Sequence, residues 1–551
     1  MKCSDLMVAC LEAEGIEYIF GVPGEENADF MISLQKSEHI RFILTRQEQG
    51  AAFMADVYGR LTHNPAACLG TLGPGATNLM TGVANANMDH SPLLCLTGQA
   101  DTERLHKESH QAMDVVSMYR PVTKWAQAIF HPDNTAEIVR KAVRVARSEK
   151  PGACLVELPE DIAKREAESV PIEPHRYQQP SPDPDVVEDA WEIIRQAKRP
   201  VIIAGAGTMR RHATAALRRF VAQTGIGVIS TFMAKGAVDV DDDTCTYTIG
   251  LQTRDYTSVA LDESDLVITV GYDMVEYHPG LWNKGNSHRI VHIDYTPAEI
   301  DESYRTEIEV IGNIADALSM LCNHLTRNPH PPAFDHTHTR RARELIQADL
   351  TWYKEDDAIG AIKPQKAIWD ARQVLGHNDI LLSDVGAHKM WVARYYHCHE
   401  PNTCLIANGF CSMGFALPGA IAAQMVYPDR RVLAVCGDGG FLMNAQEMET
   451  AHRLRSNIVV MVWQDYGYGL ISWKQDNEFH RHTDLTFGNP DWLQLAAAFG
   501  WHGYTCDASS ALQETLEQAF AATGPALVVI PIDYRENPRL TERLGHIPVA
   551  L

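Results

Sequence analysis

The sequence lacks the long apolar runs and the excess of positive charge that would indicate a membrane or nucleic-acid partner. No stretch of its 551 residues approaches the ~20 consecutive apolar residues of a membrane span, and Asp5, Glu12 and Glu14 stand where a signal peptide needs an apolar segment. Lys and Arg total 48 against 71 Asp and Glu, a formal net charge of −23. Such a surplus repels nucleic acid and anionic lipid surfaces. We therefore expect a cytoplasmic protein that binds neither.

Closely spaced cysteine pairs are missing as well. The 12 cysteines occur singly, as at Cys68, Cys95 and Cys436, mostly within apolar runs and without CxxC spacing. This pattern favours reduced core thiols over a disulfide scaffold or a zinc module. The His-Cys-His-Glu run at 397–400 has no second cluster at zinc-finger spacing, so we assign no metal to it.

Short apolar runs alternate with segments of helical period along the whole chain, which predicts parallel sheets. The clearest runs are 40–44, 66–69, 93–96, 201–204, 266–270, 290–293, 432–436 and 458–463. Two polar, proline-containing stretches, 171–185 and 328–339, interrupt this rhythm and are interpreted as linkers. The predicted fold class is α/β, with three doubly wound parallel-sheet domains at 1–170, 186–327 and 345–551.

A glycine-rich turn in the last third has the composition of a phosphate site. Gly437, Gly439 and Gly440 follow an apolar run and would let backbone amides approach a phosphate near a helix N-terminus. The spacing of Asn444 and Glu447 is that of a capping box, which predicts that a helix begins just after this turn.

Two carboxylates accompany this turn. Asp438 lies within it, and Asp465 ends the next apolar run. A carboxylate beside a phosphate is stable when a divalent cation such as Mg²⁺ lies between them. The alternative is that GDGG is an ordinary tight turn and Asp465 a turn or cap residue.

GDGG followed by an acidic residue after the next strand resembles the signature of thiamine diphosphate enzymes. In that family two side chains and a backbone carbonyl hold Mg²⁺ against the diphosphate. The usual Asn-Asn pair is replaced here by Gln464-Asp465, which keeps an oxygen ligand. The resemblance implies that the metal ligands are Asp438, Asp465 and the carbonyl of Gly467, and that the cofactor also contacts Gly437, Gly439, Gly440, Gly467 and Tyr468.

Glu48 stands between the run 40–44 and a helix predicted over 49–60. A Glu in a first helical turn is commonly an exposed partner of the helix dipole. The resemblance implies another role, because family members place a Glu here against a ring nitrogen of the aminopyrimidine. Proton transfer between the two generates the reactive ylide, so Glu48 is the predicted general acid/base and a cofactor contact.

Two further segments of the first third are similar to family motifs. TLGPGATN at 71–78 matches a turn that lies close to the cofactor, which implies that Pro74 and Asn78 contact it. His110-Gln111 is similar to a segment whose Gln faces the substrate, so Gln111 is a candidate catalytic and substrate residue. A surface Gln is the alternative.

Within the family the chain is most similar to acetolactate synthases. SDVGAHKMW at 383–391 implies diphosphate contacts from Gly386, Ala387 and His388. Met413 stands where family members have a bulky apolar side chain that supports the bent cofactor. The resemblance therefore implies a catalytic and cofactor-binding role for Met413. The alternative is an ordinary core methionine.

The segments 271–283 and 531–540 resemble the catabolic, FAD-independent members. GAGTMR at 205–210 also lacks the third Gly of GxGxxG, so FAD is not expected to be essential. TGQ at 97–99 and Met413 instead resemble the biosynthetic branch.

The resemblance implies decarboxylation of pyruvate or a related 2-oxo acid, followed by carboligation to a second 2-oxo acid to give 2-acetolactate. Trp473 and Lys474 are candidate substrate residues, and a solvated Lys474 is the alternative. We expect a homodimer or homotetramer with active sites between chains. The open alternatives are a non-oxidative 2-oxo acid decarboxylase, another thiamine diphosphate carboligase or lyase, and a catalytically silent scaffold or regulatory subunit.

Overall fold

Three six-stranded sheets form the framework of the computed structural model, which describes residues 1–175, 179–251, 256–327, 332–350, 358–538 and 540. The strands are β1 Tyr18–Gly21, β2 Arg41–Leu44, β3 Ala66–Gly70, β4 Leu93–Gln99, β5 Trp125–Ala128, β6 Ala153–Pro159, β7 Pro200–Ala204, β8 Val228–Ser230, β9 Cys245–Thr248, β10 Leu266–Val270, β11 Arg289–Asp294, β12 Ile308–Ile311, β13 Ile380–Ser383, β14 Cys404–Ile406, β15 Val432–Gly437, β16 Val459–Gln464, β17 His502–Thr505 and β18 Ala526–Pro531. Each of the eight predicted apolar runs coincides with one of these strands.

All strand pairs are parallel, and the α/β class of the fold is confirmed. The first sheet has the order β2-β1-β3-β4-β6-β5, and the third repeats it as β14-β13-β15-β16-β18-β17. The second sheet differs, with the order β12-β11-β10-β7-β8-β9. In doubly wound sheets ligands bind beyond the carboxyl ends of the strands, where the strand order reverses. These points lie between β1 and β3, β7 and β10, and β13 and β15.

Helices flank the sheets and connect the strands. They are α1 Cys3–Ala13, α2 Ala28–Leu34, α3 Glu48–Thr62, α4 Pro74–Met88, α5 Val115–Tyr119, α6 Thr135–Arg147, α7 Glu160–Lys164, α8 Pro184–Gln196, α9 Ala213–Thr224, α10 Tyr256–Asp262, α11 Pro279–Trp282, α12 Ile314–Arg327, α13 Thr337–Asp349, α14 Pro364–Val374, α15 Ala387–Tyr395, α16 Ala416–Val426, α17 Asp438–Leu442, α18 Glu447–Arg453, α19 Gly469–Phe479, α20 Trp492–Ala498 and α21 Leu512–Ala521. The predicted helix 49–60 is α3.

The two interpreted linkers run between the sheets. Residues 171–175 and 179–183 contain no helix or strand, whereas 176–178 and 328–331 lie outside the described residues. Helix α13 begins at Thr337, inside the second predicted linker, and packs against α10 and β9 of the second sheet. The domain bounds themselves stay predictions.

One hydrophobic core joins the first sheet to the third. Helix α3 packs against α16, where the rings of Phe53 and Phe415 meet edge to face with centroids 5.8 Å apart. The cysteines are free thiols and ten of the 12 are buried, as the sequence predicts. Within the described segments every helix is too short or too polar to cross a lipid bilayer.

Candidate active site

The point of strand reversal in the third sheet gathers the predicted diphosphate segments. Strand β13 leads into the turn that carries Asp384, and β15 leads directly into GDGG at 437–440. These strands are hydrogen-bonded neighbours, so both turns lie at one edge of the sheet. A Cβ on Gly440 would lie 2.6 Å from Asp384 Oδ2, which shows how closely the two turns pack. A glycine is required at this position.

The two predicted metal carboxylates lie next to each other. β15 and β16 pair in register through Gly437 and Trp463, and Asp438 and Asp465 follow their ends. Burial and the neighbouring Asp438 carboxylate raise the pKa of Asp465. A divalent cation between two such carboxylates would relieve their repulsion.

Hydrogen bonds hold Asp438 in a fixed orientation. Its Oδ2 accepts from the amide of Tyr466 at 2.8 Å and from Asn489 Nδ2 at 2.8 Å, and its Oδ1 accepts from the amide of Gly439 at 2.9 Å. Asn489 escaped the sequence analysis, because nothing in its neighbourhood along the chain shows that it reaches GDGG.

The segment 466–468 is held in place by backbone pairing with the segment 485–486. Gly467 pairs with Thr486, and the amide of Tyr468 donates to Leu485 O at 3.1 Å. The ring of Tyr468 packs on Gly439, where a Cβ would lie 2.8 Å from its Cε1. Gly439 and Tyr468, two predicted cofactor contacts, are therefore adjacent.

Asp384 is a buried carboxyl group that the sequence analysis missed. It accepts hydrogen bonds from the amides of Val385 at 2.9 Å, Gly414 at 2.9 Å and Phe415 at 3.2 Å. Burial raises its pKa to about 6. Asp384 thus joins the turn after β13 to the segment that carries Met413. The Asp in SDVGAH was its only sequence signal.

His388 and the adjoining glycines form part of the same edge. Gly386 is the N-cap residue of α15 and Ala387 its first residue. A Cβ on Gly437 would lie 3.5 Å from the ring of His388, and burial lowers the pKa of that ring to about 4. Its Nε2 is buried without a hydrogen-bond partner among the described residues. Such an atom is suited to a bound polar group.

Met413 lies half-buried beside this site, with its Cε 3.7 Å from the Cβ position of Gly440.

Two predicted substrate residues lie on helix α19 and have different surroundings. Trp473 packs against the core of the third sheet, and Lys474 is exposed on α19. Neither side chain has a contact that supports or opposes a substrate role.

Glu48 is buried at the N-terminus of α3, not exposed as a simple dipole partner would be. Asn78 Nδ2 donates to its Oε2 at 3.0 Å. Its Oε1 lies 3.5 Å from the Cβ position of Gly75 in the TLGPG turn. The structure therefore brings two predicted cofactor contacts, Glu48 and Asn78, together.

The TLGPG turn also lies against Gln111. Pro74 is the first residue of α4, and Gly73 before it has a left-handed φ of +52°. A Cβ on Gly73 would lie 2.9 Å from the Cβ of Gln111, whose side chain is exposed. Gln111 thus stands at the mouth of the turn that contacts Glu48.

The predicted capping box is wrong. Asn444 Nδ2 donates to Gly414 O at 2.8 Å instead, and the N-cap residue of α18 is Gln446. The Glu447 carboxylate accepts from the amides of Arg46 and Gln47, both at 3.1 Å. The capping geometry fails because both side chains are engaged by distant segments.

Comparison with known families agrees with this arrangement. Models of the thiamine pyrophosphate enzymes match in order: the N-terminal TPP binding domain over 1–118, the central domain over 187–321, and the C-terminal TPP binding domain over 384–530. The residues present fit this cofactor, also called thiamine diphosphate. They provide paired carboxylates for a cation, close-packed glycines and an unsatisfied imidazole nitrogen.

Several relatives align over nearly the whole chain. The catabolic acetolactate synthase of Raoultella terrigena is 36% identical, over 98% of this chain and 97% of its own. The acetolactate synthase of Bacillus subtilis (strain 168) is 32% identical, over 98% and 94%. Chloroplastic acetolactate synthase 3 of Brassica napus is 30% identical, over 97% and 84%. The chain belongs to the acetolactate synthases within the thiamine pyrophosphate enzyme family.

Proposed function

We propose that this protein decarboxylates pyruvate and joins the remaining two-carbon unit to a second 2-oxo acid, giving 2-acetolactate when that acid is pyruvate. The observation that carries the proposal is the adjacent pair of carboxylates, buried Asp438 and half-buried Asp465, beside GDGG at the strand reversal of the third sheet. Full-length similarity to acetolactate synthases supports the choice of substrate class.

We propose that Asp438, Asp465 and the carbonyl of Gly467 hold Mg²⁺. The backbone of Gly440 would bind the diphosphate beside Gly437 and Gly439, and His388 would contribute its unsatisfied ring nitrogen. Bound thiamine diphosphate supplies an electron sink for the carbon that loses carbon dioxide.

Glu48 is the proposed proton carrier. Asn78 holds Oε2, which fixes the orientation of the carboxyl group. Oε1 would exchange a proton with the aminopyrimidine ring. Burial excludes water from this exchange, and the TLGPG turn closes the other side through Gly75.

We also propose that FAD is not required. The strand reversal of the second sheet, where a dinucleotide would bind, is filled by Glu276. This buried side chain accepts from the amide of Ala206 at 2.9 Å and from Thr231 Oγ1 at 2.5 Å. A dinucleotide phosphate would need that same Ala206 amide, which here already has a partner.

A homodimer or homotetramer with the site completed by two chains is proposed as well. Large apolar side chains of the site segments are exposed, namely Phe410, Leu442 and Met443. Grouped exposed apolar side chains are typical of a surface that another chain covers. Equilibrium sedimentation tests this oligomeric state, and an active monomer would contradict it.

The free, mostly buried thiols support a reducing, cytoplasmic location.

The function is tested by product analysis of purified protein with pyruvate, thiamine diphosphate and Mg²⁺, without FAD. Acetolactate as the main product supports carboligation and flavin independence together. Acetaldehyde as the main product would replace the proposal with a decarboxylase. Absence of turnover with bound cofactor would favour a different 2-oxo acid donor, and absence of cofactor binding a silent fold.

A further inference from the structure

A cavity of about 500 Å³ lies where the first, second and third sheets meet. Its walls come from the C-terminal end of α3, the C-terminal half of α6, the turn after β7 and the segment 402–406. None of the residues assigned to the candidate active site lines it. The volume is within the range of small-molecule sites, about 300–1,000 Å³.

The cavity wall has more arginines than carboxylates, and one of these arginines, Arg60, is already paired with Asp56 and Asp89. Its described lining carries six arginines and two carboxylates, which are Arg60, Arg140, Arg144, Arg147, Arg210, Arg211, Asp89 and Glu149. The whole chain has the opposite balance, with a net charge of −23. A concave surface of one charge sign concentrates ligands of the other sign.

Helix α6 provides half of these arginines from one face. Arg140, Arg144 and Arg147 are spaced four and three residues apart, which aligns their side chains along the helix. Arg140 and Arg147 share one carboxylate, Glu14, at 3.0 and 3.7 Å. Two guanidinium groups are thus balanced by a single negative charge.

The segment that directly follows α6 repeats this arrangement with the turn after β7, and Arg211 Nη2 donates to Arg147 O at 3.3 Å. Arg210 and Arg211 share Glu149, at 2.9 and 3.3 Å. His63 lies beside them, and burial together with the two guanidinium groups lowers its pKa to about 4. The positive charge of Arg210 and Arg211 therefore disfavours protonation of the His63 ring.

We propose that this cavity binds a small multivalent anion, either a phosphate ester or a polycarboxylate. Guanidinium groups bind both kinds of anion through paired, charge-assisted hydrogen bonds. The two adjoining pairs of arginines, each pair sharing one carboxylate, leave guanidinium donors for such a ligand. The inference does not depend on the proposed reaction, since the cavity and the active site share no residue.

The test measures anion binding by equilibrium dialysis of the full chain saturated with thiamine diphosphate and Mg²⁺, at constant ionic strength. The probes are labelled inorganic phosphate and labelled citrate. The variants are Arg144→Gln and Arg211→Gln. The matched control is Lys141→Gln, which removes the same charge from the exposed side of α6, where Lys141 lies 4.8 Å from the Trp125 ring centroid.

We expect one anion per chain, bound about tenfold more weakly by each arginine variant and unchanged in Lys141→Gln. Binding of phosphate alone would assign a phosphate ester, and binding of citrate alone a polycarboxylate. The proposal is overturned if neither probe binds at about 10 mM, or if the control loses as much affinity as the arginine variants.

A second measurement avoids substitution. Phenylglyoxal modifies accessible arginines, and mass spectrometry locates the modified sites in the unaltered protein. The bound anion should protect Arg144 and Arg211 and leave the exposed Arg535 reactive. Equal modification of all three with and without anion would overturn the proposal.

Discussion

Glu447 links the third sheet's domain to the segment that positions Glu48, and replacing it tests that link. Its Oε1 accepts from the amides of Arg46 and Gln47, and its Oε2 accepts from Thr450 Oγ1 at 2.6 Å. Gln47 is the N-cap residue of α3, directly before Glu48. Loss of these bonds should therefore reduce both stability and turnover.

The magnitude follows from the unsatisfied groups. Glu447→Ala removes the acceptor of two partly buried amides, at about 0.5–1.5 kcal/mol each, so we expect the free energy of unfolding to fall by about 1–3 kcal/mol. Glu447→Gln can keep its Oε1 on both amides and donate from Nε2 to Thr450. Its expected cost is below about 1 kcal/mol.

Urea denaturation and steady-state turnover would measure both effects. The matched control is Glu449→Ala on the same helix, which removes only a partly exposed pair with Arg453 and should cost about 0.5 kcal/mol. Turnover of Glu447→Ala should fall with its stability, since a displacement of about 1 Å can cost about 100-fold in rate. Equal stability of Glu447→Ala and Glu449→Ala would refute the reasoning.

Three further changes test the site and the middle domain. Glu48→Gln should keep the fold and cofactor affinity but lower turnover about 10²–10⁴-fold, because only proton transfer is removed; unchanged turnover would take Glu48 out of its role. Asp438→Ala should weaken cofactor binding, measured by fluorescence titration, and abolish its dependence on Mg²⁺; a retained dependence would relocate the metal site. Burial raises the pKa of Glu276 to about 8, so the folded protein keeps a proton that the unfolded chain releases above about pH 4.5. Stability should therefore decline as pH rises from about 5 to 8, and Glu276→Gln should flatten that decline in thermal melts; parallel pH curves for both proteins would contradict this assignment.

The strands could be predicted from the sequence because a parallel strand covered on both faces consists of apolar residues. The run 266–270 coincides with β10, whose five residues are all buried. The glycines and carboxylates after β15 and β16 were predictable for a related reason. Strand ends that are neighbours in a parallel sheet bring their following residues to one edge.

Contacts between distant segments could not be predicted. Asn444 and Glu447 have the spacing of a capping box, yet neither caps a helix. Asn444 bonds the carbonyl of Gly414, and Glu447 bonds the amide of Gln47, which is 400 positions away in the sequence. The role of Asp384 depends on amides of the 414–415 segment. Local spacing contains no information on which distant donor reaches a buried carboxylate.

The repeated strand order explains why the candidate site draws on the first and third sheets and not on the second. A cofactor with two ends needs two crevices, and the sheets ordered β2-β1-β3-β4-β6-β5 and β14-β13-β15-β16-β18-β17 each provide one at the same point of reversal. TLGPG follows β3 in the first sheet, and GDGG follows β15 at the equivalent position in the third. The second sheet reverses between β7 and β10, and Glu276 fills that crevice. The domain of the second sheet instead helps the other two domains to enclose the arginine-lined cavity. That cavity adjoins the C-terminal end of α3, whereas Glu48 lies at the N-terminus of the same helix, so the cavity and the candidate site share no side chain.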